Sequence, residues 1–427
     1  MAGRVPLDEE SIRVGAATPS SRPPNPQPLM NLTPSFDDAI AFARDLIRIP
    51  SPSGAEGDVA RRVMDEMTAL GIEDVRRDEV GNVIGKVAGT AGAPPVLLCS
   101  HLDVVGVGEL SGWEHPPFSA EVTDGFLHGR GAMDIKGPLA LQTHAAAALR
   151  GRAPGDVLVA HTVYEERGGW GMHHLMESGE IRPSAVVLGE STGGDIALGH
   201  RGRTEIEVIL HGRAGHASAP REARNALGLL PEAIRAVEEL AGAQEADEIL
   251  GPSTLVPTEV TTLPQSRNVI PDRVVLALDC RLVPGVEPEG LIAELQERID
   301  RRRRPNDQEL RVEVRLSETE LASYTGKVAR WRFHTPGFLL SPDDPLIRAA
   351  ASAVGRRDGS GPARARPWSF ATDGGWSCGV HGIPSLGFAP GDEAHAHTNR
   401  ERLSLDDARW CWERYPDLVL ALQAELS

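Results

Sequence analysis

Lysine, cysteine and long apolar runs are what this 427-residue chain has least of. Only Lys86, Lys136 and Lys327 carry a lysine side chain beside a large arginine complement, which reads as genome composition rather than chemistry. Lysine and arginine together number 44 against 61 acidic residues, a net charge of −17. That excess argues against nucleic acid or an anionic membrane surface as the main partner. The one compact basic run, Arg301–Arg304, follows LIAELQERID and reads as the solvated end of a helix. No window approaches the roughly 18 consecutive apolar residues of a membrane span. The four cysteines (Cys99, Cys280, Cys378 and Cys411) lie far apart and form no C-x-x-C, the pattern of reduced thiols in a cytosolic protein. Residues 1–34 are rich in Pro and Ser and lack the apolar h-region of a signal peptide, so a flexible tail is expected there. No internal repeat appears at solenoid periods.

What is present is the composition of a large globular core, 41% apolar with 45 glycines, at a length that favours two or three domains. From Ser35, a plausible N-cap, FDDAIAFARDLIRI repeats its apolar residues at helical spacing, and a second helix is expected from about Glu56 to Leu70. Short strand-like runs follow (NVIGKVA, PVLLCS), then a helix opening at Gly137-Pro138, strand DVLVAHTVY, a helix near Met172–Ser178 and strand AVVLGE. Strands alternating with helices imply an α/β fold on a mostly parallel sheet. After Arg201 the texture changes. TEIEVILHGR, VVLALDCRLV and LRVEVRLSE alternate like half-exposed strands, with helices expected over about Ala223–Ala241 and in EGLIAELQERI. That is a β-α-β-β-α-β order, the layout of a ferredoxin-like α+β unit. From about Pro342 the α/β texture returns. The economical organisation is a catalytic domain in two parts, residues 35–200 and 331–427, interrupted by an inserted satellite domain over 201–330.

In parallel sheets, ligand sites lie at the carboxyl ends of strands. The apolar run PVLLCS ends at His101, with Asp103 two residues on; DVLVAHTVY ends at Glu165 and Glu166; AVVLG ends at Glu190. Asp134 precedes a helix, and His397 lies in EAHAHTNRE. Together these supply two imidazoles and several carboxylates, donors that suit zinc at a catalytic site. Two adjacent glutamates are costly to bury. A cation bound by one offsets that cost and leaves its neighbour free as a general base.

The motifs SHLDVV, GRGAMDIKG, YEERGG, LGEST, GRAGHAS and HTNRE occur in the order and spacing of a known family. The chain from about residue 36 to its end resembles the zinc-dependent deacylases and exopeptidases, which include acetylornithine deacetylase, succinyl-diaminopimelate desuccinylase, aminoacylase-1 and the glutamate-releasing carboxypeptidases. The resemblance implies two Zn²⁺ per chain, with Co²⁺ or Mn²⁺ as substitutes. It implies His101 and Glu190 as ligands of one cation, Glu166 and His397 as ligands of the other, and Asp134 as the carboxylate shared by both. It also implies that Asp103 orients His101 and that Glu165 is the general base. The satellite domain would mediate a homodimer and send His216 to the partner's site. Arg201, Asn268 and Arg281 match positions that hold a substrate carboxylate or amide oxygen. Glu190, in place of Asp, leans towards deacylases and carboxypeptidases over aminopeptidases.

The chemistry so implied is amide hydrolysis. Two cations roughly 3.5–4 Å apart lower the pKa of a shared water, and Glu165 moves its proton to the leaving amine. Deacylation of an N-acyl amino acid in the cytoplasm is the favoured activity. The alternatives are a dipeptidase or carboxypeptidase with the same site, a deacylase or deformylase of a non-amino-acid amine, and, least favoured because the ligand set is intact, a non-catalytic binding protein.

Overall fold

The computed structural model describes residues 34–304, 307 and 309–427. The tail expected over residues 1–34 falls, but for its last residue, outside the described residues. Helix α1 (Phe36–Ile47) starts where the Ser35 side chain accepts the Asp38 N–H, with Asp37 and Asp38 in the first turn, where the helix dipole favours negative charge. Its buried positions, Phe36, Ala39, Ile40, Phe42, Ala43, Leu46 and Ile47, are linked by spacings of three and four residues, as one broad helical face requires. Helix α2 (Gly57–Ala69) follows.

The main sheet has eight strands. In chain order they are β1 (Glu73–Arg77), β2 (Val83–Val87), β3 (Ala93–His101), β4 (Gly155–Thr162), β5 (Ala185–Leu188) and β6 (Ile196–Ala197), then β16 (Ala365–Arg366) and β17 (Ser385–Gly387) from the C-terminal part. Their order across the sheet is β1-β2-β4-β3-β5-β17-β6-β16. The central run β4-β3-β5-β17 is parallel, and antiparallel pairs flank it. The central strands are apolar without alternation because helices cover the sheet. Helices α3 (Lys136–Ala148) and α8 (Leu405–Glu425) pack on β3, α1 on α3, and α7 (Pro345–Val354) on α8. Helix α4 (Trp170–Ser178) follows β4.

A second sheet is built from β7 (Gly202–His211), β9 (Thr254–Leu263), β11 (Arg273–Leu282) and β12 (Arg311–Leu316), with α5 (Leu230–Gly242) and α6 (Pro288–Arg302). Its order is β9-β11-β7-β12, every pair antiparallel. Strand β11 buries every second residue, so one face meets α5 and α6 and the other carries charge. Ile206, Val208, Leu276, Leu278, Leu240 and Leu295 belong to a hydrophobic cluster separate from that of the main sheet. The described residues nevertheless group as one compact unit. The helix expected over Ala223–Ala241 is shorter than the sequence suggests. A 3-10 turn occupies Ala226–Leu229, and the α-helix opens at Leu230 with Pro231 in its first turn, where a missing N–H costs nothing.

The four arginines Arg301–Arg304 close α6 and each meets an acid: Glu297, Glu239, Asp300 and Glu232 in turn. The run is therefore internally neutralised. Among the described residues no helix is long and apolar enough to cross a membrane, and all four cysteines are free.

Candidate metal centre

The main sheet delivers its polar residues to one place. His101 is the last residue of β3, Glu190 follows β5 by two residues, and Asp134 stands two residues ahead of α3. His397 arrives from the C-terminal loop with a left-handed backbone (φ 59°). His101, Asp134 and Glu190 form one group able to hold a cation, and Asp134, Glu166 and His397 form a second. The two groups share Asp134. Its Oδ1 lies 3.3 Å from His101 Nε2 and its Oδ2 lies 3.2 Å from His397 Nε2. His101 Nε2 is also 3.5 Å from Glu190 Oε1, and His397 Nε2 is 3.1 Å from Glu166 Oε2.

Glu165 and Glu166 do not sit on the strand itself. Tyr164 turns left-handed (φ 58°) just past β4, and Glu165–Arg167 form a 3-10 turn. The left-handed residue aims three successive N–H groups to one side, a concavity that attracts anions. Buried carboxylates fill it. Glu56 Oε1 accepts from Tyr164 N at 3.3 Å, Asp103 Oδ1 from Glu165 N at 3.1 Å, and Asp103 Oδ2 from Glu166 N at 3.2 Å. Ser53 Oγ donates to Asp103 as well, at 2.6 Å. A hairpin of β13 (Glu318–Ala322) and β14 (Val328–Arg332) braces the same turn, since Tyr164 donates its hydroxyl hydrogen to Ala322 O at 2.6 Å.

Asp103 meets the His101 ring more closely through its backbone than through its carboxylate: His101 Nδ1 is 2.9 Å from the Asp103 carbonyl and 3.5 Å from Oδ1. A carbonyl can only accept, so Nδ1 carries the hydrogen and Nε2 faces the space between Asp134 and Glu190, where its lone pair is free for a cation held by all three. The Asp103 carboxylate is engaged by the glutamate turn, and so it bears on both parts of the site.

Charge is crowded here. Burial pushes Glu190 and Glu165 well above the ordinary carboxylate range, and the negative partners nearby push in the same direction. Burial likewise raises Glu166, helped by Asp134. For Asp134 burial works upward too, but the imidazoles of His101 and His397 beside it outweigh that and hold the carboxyl low. His397 rises to about 10, through its hydrogen bonds to Asp134 and Glu166.

Other expected site residues are placed differently. Arg281 lines the cavity of about 310 Å³ that opens over Asp134, Glu165, Glu166, Glu190 and His397. Arg201 does not line it, and donates from Nη1 to Pro252 O at 2.8 Å. His216 and Asn268 are exposed neighbours away from the cavity. His216 lies on β8 (Gly215–His216), paired with Val269 of β10 (Val269–Ile270), and Ala217 N donates to Asn268 O.

Several residues went unforeseen. Asp373 is buried beside the site, takes a hydrogen bond from Thr162 Oγ1 at 2.7 Å, and is raised to about 7 chiefly by burial. Glu401 accepts from Arg130 at 2.6 Å and from the Met133 and Asp134 N–H groups at 3.2 Å each. Glu401 belongs to the HTNRE motif, so its position was visible although its partners were not. Glu56 and Arg203 had no comparable signal.

The family model for peptidases of families M20, M25 and M40 matches residues 97–421, which include every member of the two donor groups. The chain belongs to this family. It is a metal-dependent hydrolase. The uncharacterized protein YgeY of Escherichia coli strain K12 is 32% identical over 388 residues, covering 90% of this chain and 94% of YgeY. Succinyl-diaminopimelate desuccinylase of Methylorubrum populi is 28% identical, covering 76% of this chain and 84% of that enzyme. The M20 metallo-carboxypeptidase Sso-CP2 of Sulfolobus solfataricus shares the fold, with a TM-score of 0.71 at 18% identity over 91% of this chain and all of that one.

The donors of this M20 chain fit divalent cations on their own evidence. His101 Nε2 and Glu166 Oε1 are buried without a hydrogen-bond partner among the described residues, an arrangement that costs free energy unless something fills it. A ligand that binds only the folded state at 100 times its Kd adds about 2.7 kcal/mol of stability. Zinc, cobalt or manganese is therefore expected to raise the melting temperature of this M20 protein, and a chelator to reverse the rise. An unchanged melting curve with all three ions would contradict the fit.

Proposed function

We propose that this M20 hydrolase cleaves the amide of an N-acyl amino acid, with Glu165 as general base. The observation that carries the reading is the division of labour around Asp134. Five side chains form the two donor groups, and Glu165, adjacent to Glu166, belongs to neither. Its Oε2 is 3.9 Å from His101 Nε2, close enough to serve an atom held there. His101, Asp134 and Glu190 would hold one cation, and Asp134, Glu166 and His397 another. Zinc suits this imidazole and carboxylate set, as do cobalt and manganese. When bound, such cations supply Lewis-acid polarisation of the amide oxygen and a lowered pKa for attacking water. Glu165 takes the proton of that water and returns it to the leaving nitrogen, which cannot depart as an anion. The turn that carries Glu165 is fixed by its three backbone bonds, so the base stays in register with the donor groups.

The family relationship to a desuccinylase supports deacylation, and the modest cavity suits a small amide. A dipeptidase or carboxypeptidase activity at the same site is the second reading, and the fold of Sso-CP2 supports it. The second sheet would be the satellite domain, residues 201–330, inserted between catalytic parts 35–200 and 331–427. Its edge strand β9 leaves Val256, Val260 and Leu263 exposed, which supports pairing with a second copy. In such a homodimer the exposed corner bearing His216 and Asn268 is free to reach the partner's cavity, where His216 would steady the developing oxyanion. A monomer mass in gel filtration would remove both the dimer and that role.

The test is amine release from a panel of N-acyl amino acids and dipeptides by protein loaded with zinc or cobalt, with chelated enzyme as control. Turnover confined to N-acyl amino acids supports the deacylase. Turnover of dipeptides alone transfers the protein to the peptidase reading. No turnover with cations bound would overturn both and point to another class of amide.

A further inference from the structure

We infer that the hairpin of β13 and β14 couples the second sheet to the turn that carries Glu165, with Tyr324 at its tip as the positioning residue that anchors it. The inference rests on the reading of Glu165 as general base. The root of the hairpin belongs to the second sheet. The chain leaves β12 at Ser317 and enters β15 (His334–Thr335) at Phe333, and both connecting residues are tied to Glu205 of β7. Ser317 N donates to Glu205 O at 2.8 Å, Glu205 N to Phe333 O at 2.9 Å, and Phe333 N to Ser317 O at 3.0 Å. Strand β15 then pairs with Arg203 and Thr204 of β7. The body of the hairpin goes the other way. Leu321 and Trp331 are buried in the hydrophobic cluster of the main sheet. The tip docks there too: Tyr324 donates its hydroxyl hydrogen to Gly81 O at 2.7 Å, and Thr325 Oγ1 donates to Glu79 O at 2.6 Å, both in the loop between β1 and β2. Side chains at Gly57 and Gly81 would meet the Tyr324 ring, so these glycines leave its socket open. Gly81 is also left-handed (φ 114°), a conformation glycine adopts readily.

Between root and tip the hairpin grips the glutamate turn at both of its ends. Ahead of Glu165, the Tyr164 hydroxyl meets Ala322 O, two residues from Tyr324, and a side chain at Gly54 would displace that hydroxyl. Behind Arg167, the Trp331 indole lies against Gly168, where a side chain would collide with it, and its ring centroid is 5.6 Å from that of Trp376. Gly168 O accepts from Trp376 Nε1 at 2.8 Å and from Thr335 Oγ1, on the strand that leaves the hairpin, at 3.2 Å. Tyr164 and Gly168 flank the turn that carries Glu165, so its two ends are fixed by one hairpin clamped to the second sheet at its root and to the β1–β2 loop at its tip. A base displaced by about 1 Å can lose on the order of 10²-fold in rate, which gives this clamp a kinetic consequence.

The test compares the metal-loaded full chain with Tyr324→Ala, Tyr324→Phe, Tyr164→Phe and, at an exposed position of the same hairpin, Arg330→Ala. Kinetics are read on the amide that wild type turns over best, and amide hydrogen exchange is followed over residues 163–169. Tyr324→Ala is expected to lower kcat about tenfold. KM and metal content should stay at their wild-type values, since Tyr324 neither lines the cavity nor belongs to a donor group. Tyr164→Phe removes one hydrogen bond and should cost about 2- to 10-fold in kcat. Tyr324→Phe keeps the ring in its socket and should recover most of the loss, and Arg330→Ala should match wild type. Exchange over 163–169 should quicken about tenfold in Tyr324→Ala while exchange in β3 stays as in wild type. Quickening confined to the hairpin, or spread equally over the main sheet, would overturn the coupling, as would an unchanged kcat. If wild type turns over no amide, the hydrolase reading fails separately, and the exchange pattern alone decides whether the hairpin holds the turn.

Discussion

Glu165→Ala, and the isosteric Glu165→Gln, are expected to lose about 10²- to 10⁴-fold in kcat while still binding cations at both donor groups. The split follows from geometry. Glu165 belongs to neither group, whereas its neighbour Glu166 belongs to the second. The backbone bonds from Tyr164, Glu165 and Glu166 to Glu56 and Asp103 hold the turn whatever side chain stands at 165. The Gln variant keeps size and shape and loses only the ability to accept and return a proton. Turnover measured beside metal content checks it. Glu165→Gln retaining most of its activity would show the base to be elsewhere, with the nearby buried carboxyl of Asp373 next to be examined. A fall in metal content equal to the fall in activity would make Glu165 a ligand.

Asp134→Ala has the second large effect. It is expected to lower bound metal from two cations per chain to fewer than one and to abolish turnover, because Asp134 alone belongs to both donor groups. Its two oxygens address different histidines, so one substitution removes a donor from each side. Glu190→Ala should weaken only the group around His101, and Glu166→Ala only the group around His397, each leaving one cation tightly held. Metal analysis after exhaustive dialysis separates these cases, with circular dichroism as the check on folding. Full occupancy of both groups in Asp134→Ala would refute the shared carboxylate. Loss of both cations in Glu190→Ala would show that the groups bind as a unit.

Much of this was legible in the chain because it depends on local order. The apolar runs ending at His101, Glu165 and Glu190 fixed which strands are buried and which residues stand at their ends. A parallel sheet then gathers those ends on one side. The Ser35 cap, Pro138 in the first turn of α3 and the alternation of β11 were likewise readable, being set by residues within a turn or a strand of one another. Less legible was anything settled by partners far along the chain. The glutamate turn is held by Glu56 from more than a hundred residues earlier, and the Asp134 backbone by Glu401 from the far end.

The sequence by itself determined the α/β class, the family and the set of candidate donors, since side-chain chemistry and periodic burial are properties of short segments. Only the tertiary structure decided how those donors divide. It brought His101 and His397 to opposite oxygens of Asp134, and it turned Glu165 off its strand beside the donor groups. It also set Arg203, rather than Arg201, on the cavity wall. That last choice is a matter of register: two residues apart on or beside a strand look alike in a sequence, and only the neighbouring strands decide which of them meets the cavity.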